Sequence, residues 1–330
     1  MQTNVNIEKT IRVIVHFPLK SDGSGNFTET SDCYGNNSQY SGYWLAEKFI
    51  ERANYWLKNN QEMSQQLSYK PSIPVNNINI QFKLAGVIFH RNDNLFSSWD
   101  ISDIDDYVSS ENRDVAINLF LFPNGWENGA TWYGYDVCWV NGTIKAYNDY
   151  LIYGNFGIDN GFVLNAIHEI GHCLELRHAK RYGYGDCCVD DNPECLDNCD
   201  DTPTYLELLN DGYLDPCIWN GEGHSNNIMD YSPDQQAWTP CQIEIIHSTL
   251  ENRQVLYPCN FKENALFITL NVSTENKSYI AKTVNIPVGS KITVSNNLGM
   301  FVNAEEFIIN GELEIQTGSV LSVNTTPSCN

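Results

Sequence analysis

Apolar residues fall into short β-branched runs separated by a few stretches of helical spacing. Ile11-Arg12-Val13-Ile14-Val15-His16-Phe17 is β-branched and only loosely alternating, which predicts a strand. Past a Gly/Ser/Asn-rich loop reaching Asn37, the residues Leu45, Phe49, Ile50, Ala53 and Leu57 recur at helical spacing. Tyr43 to Lys58 therefore predicts an amphipathic helix, with Trp44 and Trp56 beside its apolar face. Ile78 to His90 and Val115 to Phe122 predict two further strands, the second apolar enough to lie centrally in a sheet. Ala130 to Val140 and Thr143 to Tyr150 flank Asn141-Gly142, a hairpin signal. Asn160 to Leu176 predicts a second long helix and Pro240 to Glu251 a third, with Pro240 near its first turn.

Near Cys259 the character changes. Leu266-Phe267-Ile268, Ile292-Thr293-Val294, Phe307-Ile308-Ile309, Leu313-Glu314-Ile315 and Leu321-Ser322-Val323 are all short and strand-like. Gly289-Ser290-Lys291-Ile292-Thr293-Val294 echoes Gly318-Ser319-Val320-Leu321-Ser322-Val323, and Asn310-Gly311 marks a tight turn. The expected organisation is α+β, with one large domain over residues 1–260 and a small all-β appendage over 261–330. The appendage reads as a short solenoid or a sandwich. A chain of 330 residues agrees, being longer than one domain of roughly 100–200 residues.

Charge narrows the function. Nineteen Lys+Arg against 41 Asp+Glu give a formal charge of −22, a surface that repels phosphate backbones and excludes nucleic acid as a partner. No run approaches the roughly 18 apolar residues of a membrane span. Met1 to Asn6 lacks the basic and apolar regions of an export signal, so either none is used or it has been removed and a Met added. Between Tyr182 and Asn252 there is no Lys or Arg, while Asp186, Asp190, Asp191, Glu194, Asp197, Asp200 and Asp201 crowd together. That segment reads either as a solvated acidic surface or as a site for a hard cation such as Ca²⁺. Eleven cysteines, five of them at 187, 188, 195, 199 and 217, are spaced too irregularly for a zinc knuckle. Disulfides fit better and imply an oxidising, extracellular setting. Bridges within 187–217 and a Cys241–Cys259 pair are candidate connectivities, with Cys173 the candidate unpaired thiol.

The chemistry lies in His168-Glu169-Ile170-Gly171-His172. Histidines four apart share one helix face, so both imidazoles can reach one metal ion, and Glu169 is placed to act on a water without ligating. His178 extends the pattern to H-E-x-x-H-x₅-H. Three nitrogen ligands leave a fourth zinc position open, as in catalytic sites. The alternative is a helix with solvent-facing histidines. Downstream stands Asn226-Asn227-Ile228-Met229-Asp230-Tyr231-Ser232, where Met229 on its own would pass for ordinary core packing.

With this long zinc consensus followed by a Met-containing turn, the chain resembles the metzincin metallopeptidases. The pappalysin (cytophagalysin-like) family of secreted bacterial type is most similar. Its marks here are His168 to His172, Asp200-Asp201-Thr202-Pro203, Asn227 to Tyr231, and Thr239-Pro240-Cys241-Gln242-Ile243, within roughly residues 10–258. The resemblance implies a metzincin-like catalytic domain: a twisted, mostly parallel sheet with a backing helix and an active-site helix, then a loop-rich C-terminal subdomain. It implies a secreted zinc endopeptidase acting on proteins or peptides. His168, His172 and His178 would hold zinc, Glu169 would be the general base, and Met229 would form the floor beneath the metal. Tyr231 matches a tyrosine that in some metzincins bonds the oxyanion, a structural hydroxyl being the alternative. Calcium is implied at Asp200, Asp201 and Thr202. Asp230 and Asp234 lie in the segment after the turn, which in metzincins helps form the pocket after the scissile bond, and that acidic surround would favour a basic side chain there.

One departure stands out. The metzincin consensus has glycine where this chain has Glu175, at a turn that favours φ > 0. Glu175 either bears that strain or marks a different helix end, and its carboxylate could bond Arg177. Glu194 as third ligand, the gluzincin arrangement, would leave His178 and Met229 unexplained. The rival function is a zinc-containing but inactive surface-binding protein whose β appendage contacts polysaccharide or a cell envelope; zinc hydrolysis of a non-peptide substrate is a third.

Overall fold

The computed structural model describes residues 9–63, 78–98, 100–109, 112–124, 129–132, 134–154, 161–179, 197–202, 225–230, 235–253, 265–273 and 276–325. The first apolar run forms β1 (Lys9–Leu19), buried on both faces. Ile11, Val13, Val15, Phe17 and Leu19 enter the main core, while Ile14 enters a smaller one on the opposite side. Burial on both faces removes the need for polar residues at alternate positions, which is why the alternation is loose. Around β1 lie β2 (Ile80–Arg91), β3 (Ile117–Phe122), β4 (Gly129–Thr131) and β5 (Val137–Asn141). The sheet runs β2-β1-β3-β5-β4, parallel except for the antiparallel edge strand β4. β3 is central and wholly buried, as its composition predicts.

One face of the sheet carries α1 (Gly42–Lys58), α4 (Thr143–Tyr153), α5 (Phe162–Cys173) and α6 (Pro240–Asn252). Ser41 caps α1 by accepting from the Trp44 amide, and α6 opens with a reciprocal Thr239–Gln242 capping box and Pro240 in its first turn. The other face is covered by α2 (Asp93–Ser97) and α3 (Ile101–Asp105), whose Leu95, Ile101 and Ile104 pack on Phe120, Phe122 and Trp139.

The hairpin expected at Asn141-Gly142 is not there. Gly142 sits at φ 111° as the N-cap of α4, turning the chain from β5 into a helix. Thr143, Ala146 and Tyr147, spaced for a helix, are its buried residues. A left-handed glycine serves a hairpin and a strand-to-helix junction equally well, so the dipeptide alone does not separate them. The antiparallel pair is instead β4 with β5.

The C-terminal strands form a solenoid rather than a sandwich. They are β6 (Ala265–Phe267), β7 (Lys277–Ile280), β8 (Thr283–Ile286), β9 (Lys291–Val294), β10 (Gly299–Ala304), β11 (Glu306–Ile309), β12 (Glu312–Ile315) and β13 (Val320–Thr325). Three parallel ladders, β13-β10-β7, β11-β8-β6 and β12-β9, make its sides. Gly299 pairs with Val320, Thr283 with Glu306 and Lys291 with Glu312, rungs of 21 to 23 residues, while Ala265 with Thr283 makes a first rung of 18. Val284, Ile286, Ile292, Val294, Met300 and Val302 fill the interior. The two Gly-Ser echoes precede β9 and β13, which lie on different sides. What repeats there is a corner, with Gly289 and Gly318 at φ 82° and 79°, rather than a rung.

The solenoid is seated on the free edge of β2. Asn276 Nδ2 donates to the Val87 carbonyl at 2.7 Å, Ser278 Oγ and Asn303 Nδ2 to that of Ala85 at 2.9 and 2.8 Å, and Asn324 Nδ2 to that of Leu84 at 3.3 Å. An edge strand left with bare carbonyls templates aggregation; here side chains of another element satisfy them.

Candidate metal centre

α5 crosses the sheet over β5 and β4 and buries Phe162, Val163, Ile167 and Ile170, which fixes the direction of its polar face. On that face His168 is buried and His172 half-buried. His168 Nδ1 donates to the Ile228 carbonyl at 2.6 Å and His172 Nδ1 to that of Leu176 at 2.7 Å. With a proton committed to each Nδ1, each ring offers a lone pair at Nε2. Both Nε2 atoms face His178 Nε2, at 3.1 and 3.0 Å. One proton can bridge only one such pair, whereas a divalent cation satisfies all three. The separations approach the edge of a tetrahedron built on Zn–N bonds of about 2.0–2.1 Å. The donor set therefore fits zinc, and the carbonyls on the outer nitrogens orient the rings as metal-site partners do. Burial lowers the pKa of His168 to about 3 and also lowers that of His172, keeping both neutral and able to ligate.

His178 reaches the other two because α5 ends in a tight reversal. The Glu175 amide donates to the His172 carbonyl at 3.0 Å and the Leu176 amide to that of Gly171 at 2.9 Å, a Schellman pattern with Glu175 at φ 65°. Glu175 thus bears the left-handed conformation that favours glycine, and its Oε2 accepts from Thr249 Oγ1 at 3.3 Å.

Below the histidines lies the turn holding Met229, which is wholly buried. A Cβ at Gly171 would come within 2.6 Å of Met229 Sδ, so helix and turn are in direct contact. The turn is held from inside: the Met229 amide donates to Asn227 Oδ1 at 2.8 Å, and the Asn227 and Gln242 carboxamides bond each other. Ala179 N, just past His178, donates to the Met229 carbonyl at 2.9 Å, and Gln235 Nε2 reaches the Ile228 and Asp230 carbonyls. Asp230 is fully buried, its Oδ2 accepting from the Ser225 amide and hydroxyl, so it is committed to the turn.

Glu169 is buried, its stem against β4; a Cβ at Gly129 would lie 2.7 Å from Glu169 Cγ. Burial alone raises its carboxyl pKa to about 8, a shift that a cation held by the neighbouring imidazoles would oppose.

The remaining expected residues divide. Tyr231, Asp234 and Glu194 lie outside the described residues, as do Cys187, Cys188, Cys195, Cys217 and Cys259. Cys241 is bonded to Cys199, Cα–Cα 5.6 Å, not to Cys259. The reason is local: Asp201 Oδ2 accepts from the Cys241 amide at 2.9 Å, bringing the Asp200–Thr202 segment onto the N-terminus of α6. Thr202 is buried, donating to Asp197 Oδ2 and to the Cys199 carbonyl, and Asp200 is exposed. Among the described residues Cys33, Cys138 and Cys173 are free thiols, the last as expected. Gln235, Thr249 and Arg253 carry no spacing signal, since they meet the site only through the fold.

A zinc metalloendopeptidase of the metzincin class is what this sheet, helix and histidine set define. Residues 114–251 match the family described as pregnancy-associated plasma protein-A, the pappalysin metallopeptidases, so that segment is similar to those enzymes. No curated protein matches the chain. Among solved structures it is similar to mirolysin in complex with compound 9, at 18% identity, TM-score 0.46, covering 76% of this chain and 97% of the other. Mature mirolysin of Tannerella forsythia in complex with a cleaved peptide is similar at 18% identity, TM-score 0.45, covering 76% and 95%.

Proposed function

We propose that the chain is a secreted zinc endopeptidase cutting peptide bonds within proteins, with residues 1–260 as the catalytic domain and 261–330 as a β-rich domain. The observation that carries the reading is the convergence of three Nε2 lone pairs beside a buried carboxylate. His168, His172 and His178 hold the zinc, which supplies Lewis-acid polarisation of the scissile carbonyl and acidification of water. Glu169 accepts the proton of the attacking water and passes it to the leaving amine. Its position against Gly129 puts this base beside the edge strand β4. Tyr231, two residues past Met229, is assigned to the oxyanion. The Cys199–Cys241 bridge favours an oxidising compartment and so secretion.

The finer assignments belong to the same reading. Since Asp230 is spent on Ser225, a preference for a basic residue after the scissile bond falls to Asp234. Calcium near Asp200, Asp201 and Thr202 rests on the family resemblance, with the Asp197 carboxylate, which accepts from Thr202 Oγ1, standing beside them.

Cleavage of casein and of a mixed peptide library tests this. The parent should cut both, with Lys or Arg enriched after the cleaved bond. E169Q should keep its zinc and lose about 10²–10⁴ in rate. Cleavage by E169Q at the parent rate would contradict the mechanism, and a flat profile would remove Asp234 from the pocket.

A further inference from the structure

The reversal that ends α5 carries a side chain where glycine is favoured. At φ 65° a residue with a Cβ is disfavoured by about 1–2 kcal/mol, so Glu175 holds this conformation only if its surroundings fix it. They do so from the C-terminal end of α6, with Gly134 beside it. Thr249, itself buried, donates Oγ1 to Glu175 Oε2 at 3.3 Å, and Arg253 Nη1 donates to the Cys173 carbonyl at 2.7 Å and to the Gly134 carbonyl at 3.3 Å. The Gly134 amide closes the arrangement by donating to the His172 carbonyl at 3.0 Å. A guanidinium at the carbonyl end of a helix also meets the negative end of its dipole. All but the Arg253–Gly134 bond fall on the end of α5 or on the reversal that carries the chain from His172 to His178, and Gly134 is itself bonded to the His172 carbonyl.

We propose that the end of α6 is a clamp that positions the third imidazole, Thr249 and Arg253 holding the Glu175 reversal so that His178 meets His168 and His172. The inference rests on those imidazoles being zinc ligands. Glu175, Thr249 and Arg253 are then positioning residues: none touches the metal or the substrate, and each acts through the backbone between two ligands. Glu175 and Thr249 form a matched pair, the hydroxyl anchoring a side chain that a glycine would not possess. Arg253 grips backbone carbonyls and is needed whatever stands at position 175.

The test is the rate at which the zinc-loaded full-length chain gives up its metal to a chromogenic chelator, measured beside peptide hydrolysis and the melting temperature of the metal-free form. T249V and E175A should each release zinc about tenfold faster than the parent, the size of effect usual for groups that orient ligands. E175G, free of the conformational strain, should release it more slowly than E175A. T249V should add nothing in the E175G background, whereas R253M should accelerate release in both backgrounds. Equal release by parent and T249V, or an equal T249V effect in both backgrounds, overturns the clamp. Lowered melting temperatures with unchanged zinc release would make these contacts merely structural and also overturn it. A parent that neither retains zinc nor cleaves peptide would instead remove the reading beneath the inference.

Discussion

His16 shows how a single residue can be important and illegible at once. In the sequence it is one position in a β-branched run. In the fold it is wholly buried, stacked on Phe120 with ring centroids 4.2 Å apart, its Nε2 donating to Asn118 Oδ1 at 3.1 Å and its Nδ1 2.9 Å from His90 Nε2. Burial, with His90 beside it, holds its pKa well below the ordinary 6.5. The sign follows: folded His16 stays neutral while unfolded His16 takes up a proton below about pH 6.5, so its contribution is full above that pH and lost on acidification. Unfolding of H16L at pH 5.5 should take up about one proton fewer than unfolding of the parent, read from the pH dependence of urea unfolding. An unchanged slope would contradict it. His168, His172, His178 and Met229 are legible because a shared metal site would demand fixed spacings along a helix and its turn. Arg253 is not, because its partners lie 80 and 119 positions away.

Between elements, the closest fit at the site is α5 on the methionine turn. Gly171 leaves room for Met229 Sδ, and a methyl there would sit at 2.6 Å, nearer than side-chain atoms approach. G171A should therefore cost about 1–3 kcal/mol in urea unfolding, as overpacking of a filled core does; an unchanged midpoint would mean the turn is not held against the helix. Long amphipathic elements were readable to within a few residues, since α1 and α6 carry helical spacing with caps at their starts. The hairpin reading failed because Gly142 suits two junctions, and α2 and α3, five residues each, are too short to show a period.

Across the whole molecule, the solenoid covers the free edge of the five-stranded sheet. Val87, Ala85 and Leu84 on the edge strand β2 give their carbonyls to Asn276, Ser278, Asn303 and Asn324, and Ile280 packs with Ile14, Ala85 and Ile88 beneath. A chain ending near residue 264 should melt lower than the parent and aggregate with rising concentration, through the uncovered edge. N276L should lose about 1–3 kcal/mol by leaving the buried Val87 carbonyl and Gly299 amide without their partner. A truncated chain as stable and monomeric as the parent would show the two parts to be independent. Strand-rich composition announced the appendage. Its seat on β2 was hidden, because it depends on asparagines that look like loop residues in the sequence.

Zinc titration of the metal-free full-length chain, with hydrolysis of a fluorogenic peptide followed at each addition, tests the metal centre most directly. Activity should rise linearly and stop at one zinc per chain, while H178A at the same zinc concentrations stays near background. Peptide cleavage by the metal-free chain, or zinc-saturated H178A working at the parent rate, would contradict the assignment of the three imidazoles.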